Sequence, residues 1–212
     1  MKTIILSVAL FITTLASNAN DARYIETMAK SIEAVYKGQT PEEIQQAINV
    51  LDRIGSAEKT KWEPYYYASF GYVMMATKEK DAAKKDAYLD QATAEIDKAT
   101  AILANDSEIV TIEGFIYMIR LSVDPDARGR KFSGLAMQSF GKAVKLNPEN
   151  PRALAMLAQM QFGTARFFNS ETTEACSTTH KALEKFTSYK SENPLAPVWG
   201  QAVTEDLLKQ CK

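Results

Sequence analysis

The chain has few side chains suited to covalent or metal chemistry. It contains two cysteines, Cys176 and Cys211, and one histidine, His180. It has no Cys-x-x-Cys redox pair, no nucleophile elbow and no glycine-rich phosphate loop. A zinc site would need His180 to converge with cysteines or carboxylates, but Cys211 is the better partner for Cys176. We therefore predict no catalytic residue, no metal site and no cofactor.

The two cysteines are placed to form a disulfide bond. Apolar spacing predicts helices over residues 171–191 and 195–211, joined by a turn at Asn193-Pro194. Folding these helices back on each other brings the sulfur atoms level, because Cys176 lies as far before the turn as Cys211 lies after it. Two unpaired buried thiols are the alternative. A disulfide would suit an oxidising compartment and would stabilise the fold by on the order of 3–4 kcal/mol.

The amino-terminal residues have the pattern of a secretory signal peptide. Lys2 supplies a positive charge, residues 4–15 are mostly apolar, and residues 17–19 include the small side chains that a signal peptidase recognises. The apolar run is shorter than the ~20 residues that span a bilayer, which disfavours an uncleaved anchor. We predict a signal peptide over residues 1–19 and an exported domain over residues 20–212 without an integral membrane segment. The periplasm is the expected location, with secretion as the alternative.

The balance of charge argues against one class of partner. The chain carries 25 basic and 26 acidic residues, which gives a formal net charge of −1. This near neutrality gives no electrostatic reason to expect binding to nucleic acid or to an anionic membrane. We therefore expect no nucleic-acid partner.

The most informative pattern is a repeat of roughly 44 residues, a length typical of stacked helical hairpins. Ala92, Ala136 and Ala182 each begin the spacing Ala-x3-apolar-x2-apolar or Ala, and a weaker copy begins at Ala47. Strand patterns are nearly absent, whereas apolar residues recur at intervals of three and four. With proline, threonine and aspartate at the expected boundaries, the spacing predicts helices near 21–37, 41–55, 62–78, 81–104, 107–123, 127–147, 151–168, 171–191 and 195–211.

This pattern resembles the tetratricopeptide repeat (TPR) family. The second helix of the family repeat carries Ala-x3-Phe-x2-Ala-x4-Pro, which Ala136, Phe140, Ala143 and Pro148 match at every place. The family repeat has about 34 residues, so the copies in this chain are longer, with the extra residues between the paired helices. The resemblance implies an all-α, right-handed superhelix of stacked antiparallel helical hairpins, with about four hairpins and a C-terminal capping helix.

The resemblance also implies a binding surface, because the first helices of the family line a concave groove. We expect this groove to be aromatic and to bind a protein segment or an extended peptide without enzymatic activity. A helical carrier that encloses a small apolar ligand is the alternative, and the longer repeats could instead bury the groove as core. The groove positions carried over are Tyr65, Ala68, Tyr72 and Met75, then Glu108, Thr111, Phe115 and Met118, and finally Arg152, Ala155, Gln159 and Phe162.

Overall fold

Nine α-helices make up the part of the chain that the structure describes. The computed structural model describes residues 21–211, so the predicted signal peptide lies outside the described residues. Within this range there is no strand and no helix long and apolar enough to cross a membrane. Helix α1 spans residues 21–37, and the others are α2 (Pro41–Ala57), α3 (Glu63–Lys78), α4 (Ala82–Ile102), α5 (Ser107–Val123), α6 (Pro125–Leu146), α7 (Pro151–Phe168), α8 (Thr173–Ser188) and α9 (Gln201–Leu208).

Local side-chain chemistry sets where the helices begin. The Glu43 amide donates to the Thr40 hydroxyl, and the Thr40 amide donates to the Glu43 carboxylate, which completes a capping box at α2. The Asp106 carboxylate accepts from the first amides of α5, and the Asn150 side-chain carbonyl does the same for α7. These helices therefore start at the polar residues that satisfy their free N–H groups.

Successive helices pair into antiparallel hairpins that stack as a right-handed superhelix. From α2 onward each helix contacts the next, and α3, α5, α7 and α9 also contact one another in order. At the amino-terminal end, Tyr36 of α1 packs against Tyr67 and Phe70 of α3. The odd-numbered helices thus form an inner layer and the even-numbered helices an outer layer. This arrangement confirms the predicted TPR-like solenoid, in which each hairpin buries its apolar face against its neighbours.

Small residues bring the paired helices close together. The repeat alanines Ala92, Ala136 and Ala182 are fully buried. At Gly114 of α5, an added Cβ would lie 2.6 Å from the Phe140 ring of α6, so only glycine leaves room for that ring. The repeat therefore reflects close packing between the two helices of each hairpin.

The C-terminal end differs from the predicted helix over residues 195–211. Residues 189–200 are not helical, and only Gln201–Leu208 form α9. Pro194 and Pro197 have no amide hydrogen to donate inside a helix. Gly200 has φ 102°, a left-handed conformation that glycine adopts readily and that separates α9 from the residues before it. We call residues 189–200 the strap.

A disulfide bond joins α8 to the end of the chain, as the sequence predicts. Cys176 and Cys211 are bonded, and their Cα atoms lie 5.5 Å apart. The two sulfur-bearing residues pack against a small cluster that includes Phe162 of α7 and Leu207 of α9. Both ends of the strap are therefore held in place, one by α8 and the other by α9 and the disulfide bond.

Candidate functional site

The inner face of the superhelix is an aromatic surface covered by the strap. Tyr67 of α3 donates its hydroxyl to the Leu195 carbonyl at 2.6 Å, and the Leu195 side chain is buried. The Trp199 indole N–H donates to the Tyr66 hydroxyl at 2.9 Å. The Val198 amide also donates to the Tyr36 hydroxyl of α1, at 3.4 Å. The inner face therefore already holds a piece of the same chain, through two backbone groups and one side chain.

Trp199 stacks on two phenylalanine rings of the inner layer. Its ring centroid lies 5.3 Å from that of Phe70 in α3, with 27° between the planes. The corresponding values for Phe115 in α5 are 5.9 Å and 28°. Such aromatic pairs add roughly 0.5–1.5 kcal/mol each beyond the burial of their surface. We call Phe70 and Phe115 the stacking site, because together they bind one flat aromatic ring.

A buried ion pair continues the inner face from α5 to α7. Arg152 donates from Nε and Nη2 to the Glu108 carboxylate over 2.6–3.0 Å. Tyr66, which accepts from Trp199, donates to the same carboxylate at 3.4 Å. The guanidinium carbon of Arg152 lies 4.5 Å from the centre of the Tyr189 ring in the strap. Both ends of the strap thus contact the ion pair: Tyr189 lies over Arg152, and Trp199 reaches Glu108 through Tyr66.

Burial and charge have opposing effects on these groups. Burial raises the pKa of the Glu108 carboxyl, and the hydrogen bonds and charge of Arg152 oppose that rise. Burial also raises the pKa of Tyr66 well above its usual value, so its phenol stays neutral at physiological pH. Arg152 is 0% exposed, yet its Nη1 has no hydrogen-bond partner among residues 21–211. The inner face therefore contains a fixed, buried guanidinium group with one nitrogen, Nη1, that makes no hydrogen bond.

The structure brings together three of the residues predicted from the repeat. Glu108 and Phe115 of α5 and Arg152 of α7 all lie beneath the strap, bonded to each other or stacked on Trp199. The other predicted positions on α5 and α7, and two on α3, are part of the packed interior or lie beside it. These are Ala68, Met75, Thr111, Met118, Ala155 and Phe162, which are buried, and Gln159, which is half-buried.

Tyr65 and Tyr72 of α3 are placed differently from the prediction, because they face the outer layer. An added Cβ at Gly55 of α2 would lie 2.7 Å from the Tyr65 ring, and Gln45 of α2 donates to the Tyr72 hydroxyl at 3.2 Å. The inner face of α3 carries instead three aromatic residues that the prediction omitted: Tyr66, Tyr67 and Phe70. Successive side chains of a helix point about 100° apart. An error of one residue in the predicted position therefore assigns a side chain to the wrong face of the helix. Residues 65–67 are all tyrosine, which removes any compositional signal for the correct face.

A cluster of ionisable groups lies where Tyr65 and Tyr72 meet the outer layer. Glu95 of α4 is 5% exposed, and one of its carboxylate oxygens accepts from the Lys98 ammonium at 2.6 Å. The other oxygen of Glu95, and Oδ1 of Asp52 in α2, have no hydrogen-bond partner among the described residues. Burial raises the pKa of both carboxyls, and the charge of Asp52 raises that of Glu95 further. The cluster therefore contains two carboxyl groups, those of Asp52 and Glu95, and only one ammonium group, that of Lys98, to neutralise them.

We expect Asp52→Asn to stabilise the protein at neutral pH and to lose this advantage in acid. Because the folded state binds protons on these carboxyls more tightly than the unfolded chain, their contribution to stability is complete below the ordinary carboxyl pKa of about 4. That contribution falls as the pH rises toward the raised values. After allowance for solvent screening at half-exposed Asp52, the gain at pH 7.5 is about 0.5–1 kcal/mol. Urea unfolding of both proteins at pH 4 and pH 7.5 measures it, and an equal difference at the two pH values contradicts the assignment.

Two open depressions lie away from the stacking site. One, of about 550 Å³, runs between α1 and α2 beside Ala34 and Ala47. The other, of about 650 Å³, lies on α5 and α6 beside Tyr117 and Met137. Neither is lined by a fully buried charged side chain. The inner face, with its stacked rings and buried cation, is the stronger candidate for a specific binding site.

Together, the stacked hairpins and the aromatic inner face define a TPR-like helical scaffold. No protein-family model matches the sequence, and no curated protein matches it either. Among solved structures, the HusA haemophore from Porphyromonas gingivalis is 24% identical, with a TM-score of 0.79 over 89% of this chain and 92% of that chain. The TPR protein TTC0263 from Thermus thermophilus is 17% identical, with a TM-score of 0.57 over 92% of this chain and 95% of that chain. At these identities, the two similarities show a shared fold.

Proposed function

We propose that this chain is an exported, non-enzymatic binding protein that carries a flat, largely apolar ligand of the porphyrin type on its inner face. The stacking of Trp199 on Phe70 and Phe115 is the observation that carries the proposal, because the fold already binds a flat aromatic ring there. A porphyrin presents the same kind of surface to those rings. The similarity in fold to a haemophore supports this choice of ligand, and the disulfide bond suits an exported protein.

A protein segment or extended peptide is the second candidate, and the strap itself is the observation that favours it. Leu195 is held through its backbone carbonyl and Trp199 through its side chain, as an external peptide would be. The strap, however, is tethered at both ends, so its effective concentration at the inner face is in the millimolar range or above. A peptide must displace most of the strap. A flat ligand needs to displace only Trp199 and the residues beside it, so we place it first.

The residues of the inner face fit the ring of haem better than they fit its iron. His180 is the only histidine of the chain, and it is exposed on α8 in the outer layer. Tyr66 lies beside the stacking site, but its side chain is fully buried and its hydroxyl is hydrogen-bonded to Glu108 and Trp199. Stacking would then supply the binding energy, and we expect metal-free protoporphyrin to bind about as tightly as haem.

Trp199→Ala should raise the affinity for haem and for protoporphyrin about tenfold or more. The substitution removes the internal competitor for the stacking site, and a factor of ten corresponds to about 1.4 kcal/mol of lost competition. Titration followed by haem absorbance and by quenching of porphyrin fluorescence measures both affinities. Phe115→Ala, which removes half of the stacking site, should weaken both ligands.

The matched control is Phe168→Ala. Phe168 is the last residue of α7, is 70% exposed and is not part of the stacking site. It should leave both affinities unchanged. A synthetic peptide with the sequence of residues 193–200 tests the second candidate. If Trp199→Ala binds this peptide but neither porphyrin, the peptide hypothesis replaces the porphyrin hypothesis; if it binds none of the three, both are wrong.

A further inference from the structure

Arg152 is a buried cation whose hydrogen-bonding capacity is only partly used. Nε and Nη2 are both bonded to Glu108, which fixes the plane of the guanidinium group and the direction of its other edge. Nη1, on that other edge, has no partner among residues 21–211. The arginine side chain is 1% exposed. Since buried donors in native proteins are nearly always paired, an unpaired one on the inner face calls for an explanation.

The strap covers this arginine as well as the stacking site. The Tyr189 ring lies over the guanidinium group. At the other end of the strap, an added Cβ at Gly200 would lie 3.3 Å from Cγ of Arg152. Trp199, which occupies the stacking site, is the immediate neighbour of Gly200. Access to the guanidinium group therefore requires Tyr189 to move, in addition to Trp199 and Gly200, whose movement frees the phenylalanine rings.

The hydrogen-bonding chemistry of Nη1 favours an acidic group as its acceptor. Nη1 only donates hydrogen bonds, so its partner must accept them, and a carboxylate forms the strongest such bond to a guanidinium group. Glu108 accepts hydrogen bonds only from Nε and Nη2, so Nη1 keeps its capacity to donate. The one O–H of Tyr66 is already donated to Glu108, so departure of the Trp199 indole frees an acceptor position on this hydroxyl and no further donor.

Resting on the function proposed above, we infer that the ligand carries a carboxylate and that Arg152 binds it through Nη1. The ligand class is then a flat tetrapyrrole with acidic side chains, as opposed to a neutral ring of the same shape. The phenylalanine rings would bind the macrocycle, and Arg152 would select the acid. Arg152 thus acts as a specificity-determining residue, distinct from the stacking residues that supply general affinity for flat rings.

The test compares protoporphyrin with its dimethyl ester, which keeps the ring and removes both negative charges. Both are titrated into the mature chain under the same detergent conditions, with quenching of porphyrin fluorescence as the readout. We expect the wild-type protein to bind the ester about tenfold more weakly than the acid. Arg152→Lys should lower the affinity for the acid to that for the ester and leave the ester unchanged. Arg166→Lys, at an exposed position on the same helix, is the matched control and should change neither.

The outcomes separate this inference from the function on which it rests. Equal binding of acid and ester to the wild-type protein overturns the role of Arg152 and leaves the stacking site intact as a carrier. An equal loss of both ligands in Arg152→Lys also overturns it, because the residue would then act only through the structure. Failure of both ligands to bind the wild-type protein defeats the proposed function itself. The wild-type comparison needs no substitution, so it stays decisive if the variant is unstable.

Discussion

Replacing Arg152 with methionine should lower the free energy of unfolding by about 3–5 kcal/mol. Methionine fills much of the arginine volume, so the loss comes mainly from Glu108, which would keep its buried position without its partner. The side chain of Glu108 is only 15% exposed, and Tyr66 offers it a single weak hydrogen bond at 3.4 Å. Urea unfolding at pH 7.5 measures the effect.

Two further variants test the cause of this loss. Arg166→Met, at an exposed position on the same helix, should change stability by less than about 0.5 kcal/mol. Adding Glu108→Leu to Arg152→Met should recover most of the loss, because an apolar pair of similar volume can replace a buried ion pair at little cost. If the single variant proves as stable as the wild-type protein, the ion pair has no structural role.

The pH dependence of Arg152→Met gives an independent check on the same pair. Without Arg152, only the weak hydrogen bond from Tyr66 opposes the effect of burial, so the pKa of Glu108 rises further above its usual value. A raised carboxyl pKa means that stability is retained below about pH 4 and is lost as the pH rises toward the raised value. The deficit of the variant relative to the wild-type protein should therefore be smaller in acid than at pH 7.5.

Removal of the disulfide bond by Cys176→Ser with Cys211→Ser should lower the free energy of unfolding by about 2–4 kcal/mol. The bond closes a loop with a sequence separation of 35 residues, and opening it increases the conformational freedom of the unfolded chain. The effect should be concentrated in α9, because a helix of 8 residues is marginal without tertiary support. Urea unfolding measures the global loss.

Hydrogen exchange locates the effect of the bond within the molecule. The amides of residues 189–208 should exchange faster in the double variant, whereas those of α3 to α6 should change little. Treating the wild-type protein with a reductant should reproduce both results and serves as the control. Unchanged exchange in the strap would contradict the conclusion that the disulfide bond helps to hold it on the inner face.

The sequence predicted the elements of this fold because their causes are local. Thr40 and Glu43 cap a helix through atoms three residues apart, and Ala136 and Phe140 lie one turn apart on the same helix. Periodicity of this kind is visible in any window of a dozen residues. The repeat then placed Glu108, Phe115 and Arg152 on one face, because copies of the same hairpin present equivalent positions to the same side.

The prediction failed at two places where the deciding contacts are distant in sequence. On α3, residues 65–67 are all tyrosine, so only the packing of Tyr65 against α2 and of Tyr67 against the strap shows which of them faces inward. At the C-terminal end, apolar periodicity suggested one long helix. The structure has instead a strap whose course depends on contacts with α3 and α5.

By itself, the sequence determined an all-α solenoid of stacked hairpins, the approximate boundaries of the helices that precede the strap and the disulfide partners, since these follow from caps, periodicity and spacing. Only the tertiary structure decided that the strap covers the inner face, that Trp199 occupies the stacking site and that Nη1 of Arg152 has no hydrogen-bond partner among the described residues. The bonds that set this arrangement join residues 128 and 133 positions apart. Such contacts depend on how the hairpins stack, which no local pattern encodes.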